Sequence, residues 1–192
     1  MGREFELKYS CNQAQFEALK AAYPNWTTIE METTYFDTFD GRMGNLRWTL
    51  RRRMENNRSV CTLKTPAPDG SRCEWEVACG SIMGAIPMLC KAGAPMELMA
   101  LSISGLAPVC GAKFTRLALT LEIPGATVEL ALDQGKLLGG GKELPLREVE
   151  VELKAGSDNA AVAFARELAE QYQLTPEKRS KYQRALSLAR GV

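Results

Sequence analysis

Between Arg147 and Lys154 the chain reads Glu148-Val149-Glu150-Val151-Glu152-Leu153. Side chains along a β-strand alternate between its two faces, so this stretch sets three carboxylates on one face and three aliphatic groups on the other. The same division recurs along the sequence. Glu4, Glu6 and Lys8 share a face opposite Phe5, Leu7 and Tyr9, and Arg47, Thr49, Arg51 and Arg53 share another. Thr62 with Lys64, Arg72 with Glu74 and Glu76, Arg116 with Thr120 and Glu122, and Glu129 with Asp133 follow the same rule. A polar face turned to water explains any one of these strands. It explains the set poorly, because the charges run in blocks of one sign, and like charges facing each other across a sheet are unfavourable. A sheet of about eight strands closed into a barrel encloses room for one small ligand. The expected architecture is therefore α+β: a closed eight-stranded antiparallel β-barrel, a tunnel with a charged interior, and helices packed on its apolar outside.

Strands are expected at about 3–9, 32–38, 46–55, 58–65, 72–79, 113–122, 126–134 and 145–154. Asn56-Asn57, Asp69-Gly70, Pro124-Gly125 and Gly139-Gly140-Gly141 supply the turn chemistry between neighbours. Helical spacing appears at 12–23, in two pieces between 81 and 103 broken at Pro87 and Pro95, at 158–173, and from Pro176 to about Leu188. No linker divides the chain, so residues 1–192 read as one domain.

Composition narrows the function. Lys and Arg number 24 against 23 Asp and Glu, which leaves no basic excess for coating nucleic acid. There is no histidine, which removes Ser-His and Cys-His nucleophiles and the commonest zinc ligand. The six cysteines form no Cys-x-x-Cys pair and read as reduced thiols. The first residues, Met-Gly-Arg-Glu-Phe-Glu, are too charged for a signal peptide, and no apolar run is long enough to span a membrane. A soluble cytoplasmic protein is expected, with no nucleic-acid or membrane partner. The oligomeric state is open, a homodimer included.

The charges also describe a guest. Carboxylates at alternate positions suit Mg²⁺ or Mn²⁺, which take oxygen ligands. Arginines and lysines at alternate positions suit phosphate oxygens. Both together suit a polyphosphate carrying metal ions.

Several segments, in order, resemble the CYTH or triphosphate tunnel metalloenzyme superfamily. Glu4-Phe5-Glu6-Leu7-Lys8 is similar to its Glu-x-Glu-x-Lys signature. Tyr35-Phe36-Asp37-Thr38, Leu50-Arg51-Arg52-Arg53, Thr62-Leu63-Lys64 and Arg72-Cys73-Glu74-Trp75-Glu76 resemble the strands that follow. Glu129 to Gly135, Glu148 to Lys154 and Ser180-Lys181 complete the likeness, which spans residues 4 to about 184. The strongest likeness is to bacterial inorganic triphosphatases. Arg52 departs from the pattern, where an apolar residue is usual, and should point outward.

The resemblance implies an eight-stranded tunnel and metal-dependent hydrolysis of a triphosphate to diphosphate and phosphate. Glu4, Glu6, Glu150 and Glu152, with Glu148 next, are the expected metal ligands. Lys8, Arg51, Arg53, Lys64 and Arg116 are expected to clasp phosphates, with Arg72, Lys136 and Lys181 behind them. Glu74, Glu76, Glu129 and Asp133 are expected to hold the basic groups or to orient water. Glu4, Glu6, Lys8, Glu150 and Glu152 carry the catalytic expectation. Replacing Glu6 or Glu150 by Gln should abolish turnover without loss of stability. Thiamine triphosphatase and class IV adenylyl cyclase are the alternatives on the same fold, and a non-catalytic polyphosphate or nucleotide binder is the alternative of another class.

Overall fold

The computed structural model describes residues 2–68 and 71–192, and for residues 2–4 the backbone alone. The expected Asp69-Gly70 turn and the side chain of Glu4 lie outside the described residues. In chain order the elements are β1 (Gly2–Glu4), β2 (Glu6–Ser10), α1 (Gln13–Ala22), β3 (Thr27–Thr38), α2 (Arg42–Asn45), β4 (Thr49–Glu55), β5 (Arg58–Pro66) and β6 (Arg72–Ala78). Then come α3 (Ile82–Lys91), α4 (Glu97–Ile103), β7 (Leu106–Ile123), β8 (Ala126–Gly139), β9 (Lys142–Gly156), α5 (Asp158–Tyr172), β10 (Thr175–Pro176) and α6 (Lys181–Arg190).

All the described strands belong to one antiparallel sheet, ordered β1-β6-β5-β4-β3-β7-β8-β9-β2-β10. The ten strands replace the expected eight for two reasons. The first expected strand is split at Phe5, so that Gly2–Glu4 pairs with β6 while Glu6–Ser10 pairs with β9. The second is a short bridge, Thr175–Pro176, against Ser10 and Tyr9. One segment thus bonds to strands near both ends of the sheet order.

Several strands run longer than the sequence indicates. β3 starts at Thr27, and β7 starts at Leu106, although Pro108 and Gly111 read as breakers. The register shifts between Tyr35 and Phe36, whose partners are Cys110 and Pro108, so the proline sits at an irregularity where no ladder donor is needed. Gly111 fits because a Cβ there would stand 2.7 Å from the Thr33 carbonyl oxygen. Pro87 lies inside α3 rather than ending it. Burial of Ile82, Ala85, Ile86 and Leu89 outweighs the lost backbone bond. α6 begins at Lys181, where Ser180 and Gln183 form a capping box, and Pro176 belongs to β10 instead.

The helices explain the apolar faces. α1 and α5 cover Tyr9, Leu130, Leu132, Val149 and Val151 with Phe16, Leu19, Ala165 and Leu168. α3 and α4 cover Leu50, Cys61, Leu63 and Trp75. Each fully buried aliphatic side chain here stabilises the fold by about 2 kcal/mol. α6 is the exception to the expected outer position. Its Tyr182 and Ala185 pack with Tyr35, Phe114, Leu137 and Leu146, and its Lys181 meets carboxylates of the charged face. Gly139 permits that approach, because a Cβ there would stand 2.4 Å from the Ala185 carbonyl oxygen.

Candidate functional site

The ladder registers assemble the charged side chains in rows. Glu6 is the direct partner of Glu152, and Glu152 of Glu129. One step along, Lys8 faces Glu150. A further step gives Ser10, Glu148, Asp133 and Arg116 across β2, β9, β8 and β7. On the other side of the sheet order, Arg51 faces Thr62, which faces Glu76, while Thr49, Lys64 and Glu74 form the adjoining row.

These rows line a cavity of about 1370 Å³. Glu6, Glu129, Glu150 and Glu152 form one wall, and Arg51, Arg53, Lys64 and Arg72 form another. On the acidic wall Lys8 donates to Glu6 at 2.9 Å, and Lys154 reaches Glu152 at 2.9 Å and Glu129 at 3.7 Å. Burial alone would lower the Lys8 pKa, but Glu6, with Glu150 and Glu148, raises it above the ordinary 10.5. On the basic wall Glu74 sits 3.8 Å from Arg51 and 3.6 Å from Lys64. Arg53 pairs with Glu55. Burial and then the neighbouring Arg51 lower the Arg53 pKa, which marks crowded positive charge. Arg72 donates to the Arg47 and Lys64 carbonyl oxygens and to Thr49 Oγ1, so it braces the turn before β4.

Behind the acidic wall lies a dense ion network. Lys181 Nζ stands 2.8 Å from Asp133, 2.5 Å from Glu148 and 2.6 Å from Glu150. Arg116 donates through Nε and Nη2 to both Asp133 oxygens at 2.8 Å and also bonds Glu150. Arg184 donates to Glu148 at 2.6 Å and lies 3.5 Å from Glu177. Burial pulls the Lys181 and Arg116 pKa values down, but the surrounding carboxylates win and raise both. Burial likewise pushes Glu150 up, but Lys181 and Arg116 hold it well below the usual carboxylate range.

The structure brings most of the expected residues to the cavity: Glu6, Lys8, Arg51, Arg53, Lys64, Arg72, Glu74, Glu76, Arg116, Glu129, Glu150, Glu152 and Lys181. Three fall elsewhere. Lys136 is three residues past Asp133, an odd step that turns it to the opposite face, where it pairs with Glu143 at 2.6 Å. Glu148 and Asp133 share the charged face but are fully buried beneath it, with Lys181 between them. Arg52 does point outward, donating to the Gly80 carbonyl oxygen at 3.1 Å. Asp37 accepts from the backbone of Thr38, Met43 and Gly44, which fits a structural role at α2. Trp48 and Trp75 are buried in the cluster beneath α3 and α4. Sequence reasoning passed over Lys154, which continues the parity of Glu150 and Glu152, and Arg184, three residues after Lys181 and so on the same helix face.

Two carboxylate groups bear on metal binding. Asp133, Glu148 and Glu150 have oxygens within 4.8 Å of one another, but Lys181 already supplies a cation among them. Glu6, Glu129 and Glu152 adjoin on three strands at the cavity wall, with side chains 25%, 24% and 30% exposed. An all-oxygen, partly solvated set of this kind fits a hard divalent ion such as Mg²⁺ or Mn²⁺. Among the described residues no helix is long and apolar enough to cross a membrane.

Known proteins resemble this chain in sequence and in fold. An inorganic triphosphatase of Haemophilus influenzae is 28% identical over 164 residues, covering 82% of this chain and 47% of that protein. The chain therefore spans about half the length of that curated relative. The Hippeastrum protein HpAC1, put forward as an adenylyl cyclase and described as having a dominant triphosphatase activity, superposes with a TM-score of 0.67 at 17% identity, over 98% of this chain and 95% of that one. A Bacillus halodurans protein put forward as an adenylate cyclase gives a TM-score of 0.63 at 20% identity, over 96% and 98% of the two chains. The fold is theirs, and with residues 2–186 matching the CYTH domain, the chain belongs to the CYTH domain family.

Proposed function

We propose that the chain hydrolyses inorganic triphosphate, or a related triphosphate, to diphosphate and phosphate with a divalent metal ion, in a tunnel that the segment 2–10 closes by bonding to both β6 and β9. The observation that carries this reading is the single cavity with an acidic wall on β2, β8 and β9 and a basic wall on β4, β5 and β6. A binder of bare anions gains nothing from Glu6, Glu129 and Glu152 beside its ligand. A metal–polyphosphate complex needs both walls at once. The Haemophilus relative and the Hippeastrum structure support the same chemistry.

Glu6, Glu129 and Glu152 would hold the metal, with Glu150 adjoining. A bound Mg²⁺ or Mn²⁺ supplies charge neutralisation of the phosphates and a water of lowered pKa. Arg51, Arg53, Lys64 and Lys8 bind the phosphate oxygens and take up the charge that develops on the leaving diphosphate. Glu74 lies between Arg51 and Lys64 and offsets the repulsion of the two cations. The carboxylates of the acidic wall accept the proton lost by the attacking water.

The test is a steady-state comparison of inorganic triphosphate, ATP and thiamine triphosphate with Mg²⁺ or Mn²⁺ and after chelation. Inorganic triphosphate should give the highest kcat/KM, and chelation should abolish turnover. Preference for ATP by about tenfold or more, or cyclic AMP as product, would transfer the assignment to nucleotide chemistry. Metal-independent turnover would remove the assigned role of the acidic wall.

A further inference from the structure

Arg184 is 9% exposed and touches no wall of the cavity, yet it is bound into the network that ends there. One oxygen of Glu148 accepts from Arg184 Nη2 at 2.6 Å, and the other stands 2.5 Å from Lys181 Nζ. Glu148 thus bridges two cations one helical turn apart on α6. It is fully buried, so bulk water does not screen either contact. The second Arg184 nitrogen lies 3.5 Å from Glu177, whose backbone N–H donates to the Lys8 carbonyl oxygen at 2.9 Å. Arg184 therefore ties β9, the strand of Lys8 and the start of α6 to one another.

We propose that Arg184 is a positioning residue that fixes Glu148, and through it keeps the Lys181 ammonium at the cavity wall within reach of a phosphate. The inference rests on the reading that the cavity takes a triphosphate. Without Arg184, the charge of Glu148 falls wholly on Lys181 and draws its ammonium toward Glu148 and away from the cavity. Binding of the polyanion then weakens, while Glu6, Glu129 and Glu152 keep their places on the acidic wall.

The experiment measures kcat and KM for inorganic triphosphate, and its calorimetric Kd in the presence of chelator, for Arg184→Gln, Arg184→Lys, Lys181→Gln and the Lys181→Gln/Arg184→Gln double variant. Arg184→Gln should raise KM and Kd roughly tenfold with kcat within about twofold, and Arg184→Lys should recover most of the loss. Lys181→Gln should weaken binding by itself, and adding Arg184→Gln should weaken it no further. An unchanged KM in Arg184→Gln, or a double variant showing the product of the two losses, overturns the positioning role and leaves the triphosphatase reading standing. Unchanged KM and Kd in Lys181→Gln, with triphosphate still hydrolysed, overturns the inference at Lys181 alone. Absence of triphosphate turnover in the unaltered protein is the separate result that removes the function. If Arg184→Gln does not fold, Glu148→Leu/Arg184→Met removes both charges together. With Glu148 gone the pull on Lys181 is gone too, so KM and Kd should stay within about twofold of the unaltered protein, and a roughly tenfold rise there overturns the proposal.

Discussion

Glu6 and Glu152 are direct partners across the β2–β9 ladder, two carboxylates side by side, with Lys8 2.9 Å from Glu6 and Lys154 2.9 Å from Glu152. Like charges so placed repel, and the two lysines offset that repulsion less fully than a divalent ion between the carboxylates would. Glu6→Gln or Glu152→Gln should therefore lower kcat/KM by about a hundredfold or more while the melting temperature holds or rises. A variant with ordinary turnover at saturating metal would release that residue from the role assigned to it.

Glu150 should behave differently, although it sits on the same face as Glu152. It bonds Lys181 and Arg116, and truncating its charge leaves both buried cations short of a partner. Glu150→Gln should cost about 3 kcal/mol, a fall of roughly 10 °C in Tm, along with its activity. This revises the expectation that Glu6 and Glu150 would respond alike. Thermal unfolding of the two variants in parallel separates them, and equal Tm values would mean that the ion network contributes no stability.

Arg53 carries crowded positive charge, with its pKa lowered by burial and by Arg51. Arg53→Gln should raise KM for triphosphate by one to two orders of magnitude while Tm stays level or increases. The folded ligand-free protein loses a repulsion that Glu55 offsets in part and a bound polyanion relieves further. A KM within about twofold of the unaltered protein would remove Arg53 from the phosphate wall.

Gly139 lets α6 lie directly on β8. Gly139→Ala should destabilise the fold by about 2 kcal/mol through the clash with the Ala185 carbonyl, and should weaken triphosphate binding by shifting Lys181. Gly141→Ala is the control, because nothing lies within 4 Å of a Cβ there, and the strain comes only from its φ of +73°. It should leave KM unaltered. Equal KM changes in both would indicate a general loosening of the turn.

Alkaline pH should unfold the protein through its buried acids. Burial pushes the Cys110 thiol from 9.0 to about 12, and the Cys61 and Cys11 thiols from 9.0 to about 11. Burial and then Asp37 raise the Tyr182 phenol from 10.0 to about 12. Each folded value exceeds the unfolded one, so the stabilisation is whole below the unfolded pKa and is lost as pH rises through the folded one. Each group contributes up to about 1.4 kcal/mol per pH unit across that window. The urea midpoint should stay level from about pH 7 to about pH 9 and then fall. Cys110→Ala should make the first part of that fall shallower, and an unaltered slope would assign it to other groups.

The strand faces were legible because alternation is a property of the backbone itself. The parity of Glu6, Lys8, Arg51, Arg53, Glu150 and Glu152 places all of them at the cavity as expected. Lys136 failed by the same rule, since its motif neighbour Asp133 lies an odd number of steps away. Depth was not legible, because parity states a face and not a distance from water. Glu148 and Glu150 share a face, yet only Glu150 reaches the cavity, because α6 covers its neighbour. Nor could the sequence show that Lys181 would spend its charge on three carboxylates from two strands, since no local pattern encodes a contact made between a helix and strands that precede it.

The split strand at residues 2–10 bears on synthesis. Glu6–Ser10 leaves the ribosome before β3 to β8 but finds its ladder partner only in β9, which emerges after all of them. Pairing of so distant a partner is slow, since the intervening chain must be gathered before any bond is made. Until then β9 presents an open edge whose Val149 and Val151 alternate with carboxylates. Those same acids repel another chain from that edge, so the charges that line the cavity of the finished protein also guard the nascent one against aggregation.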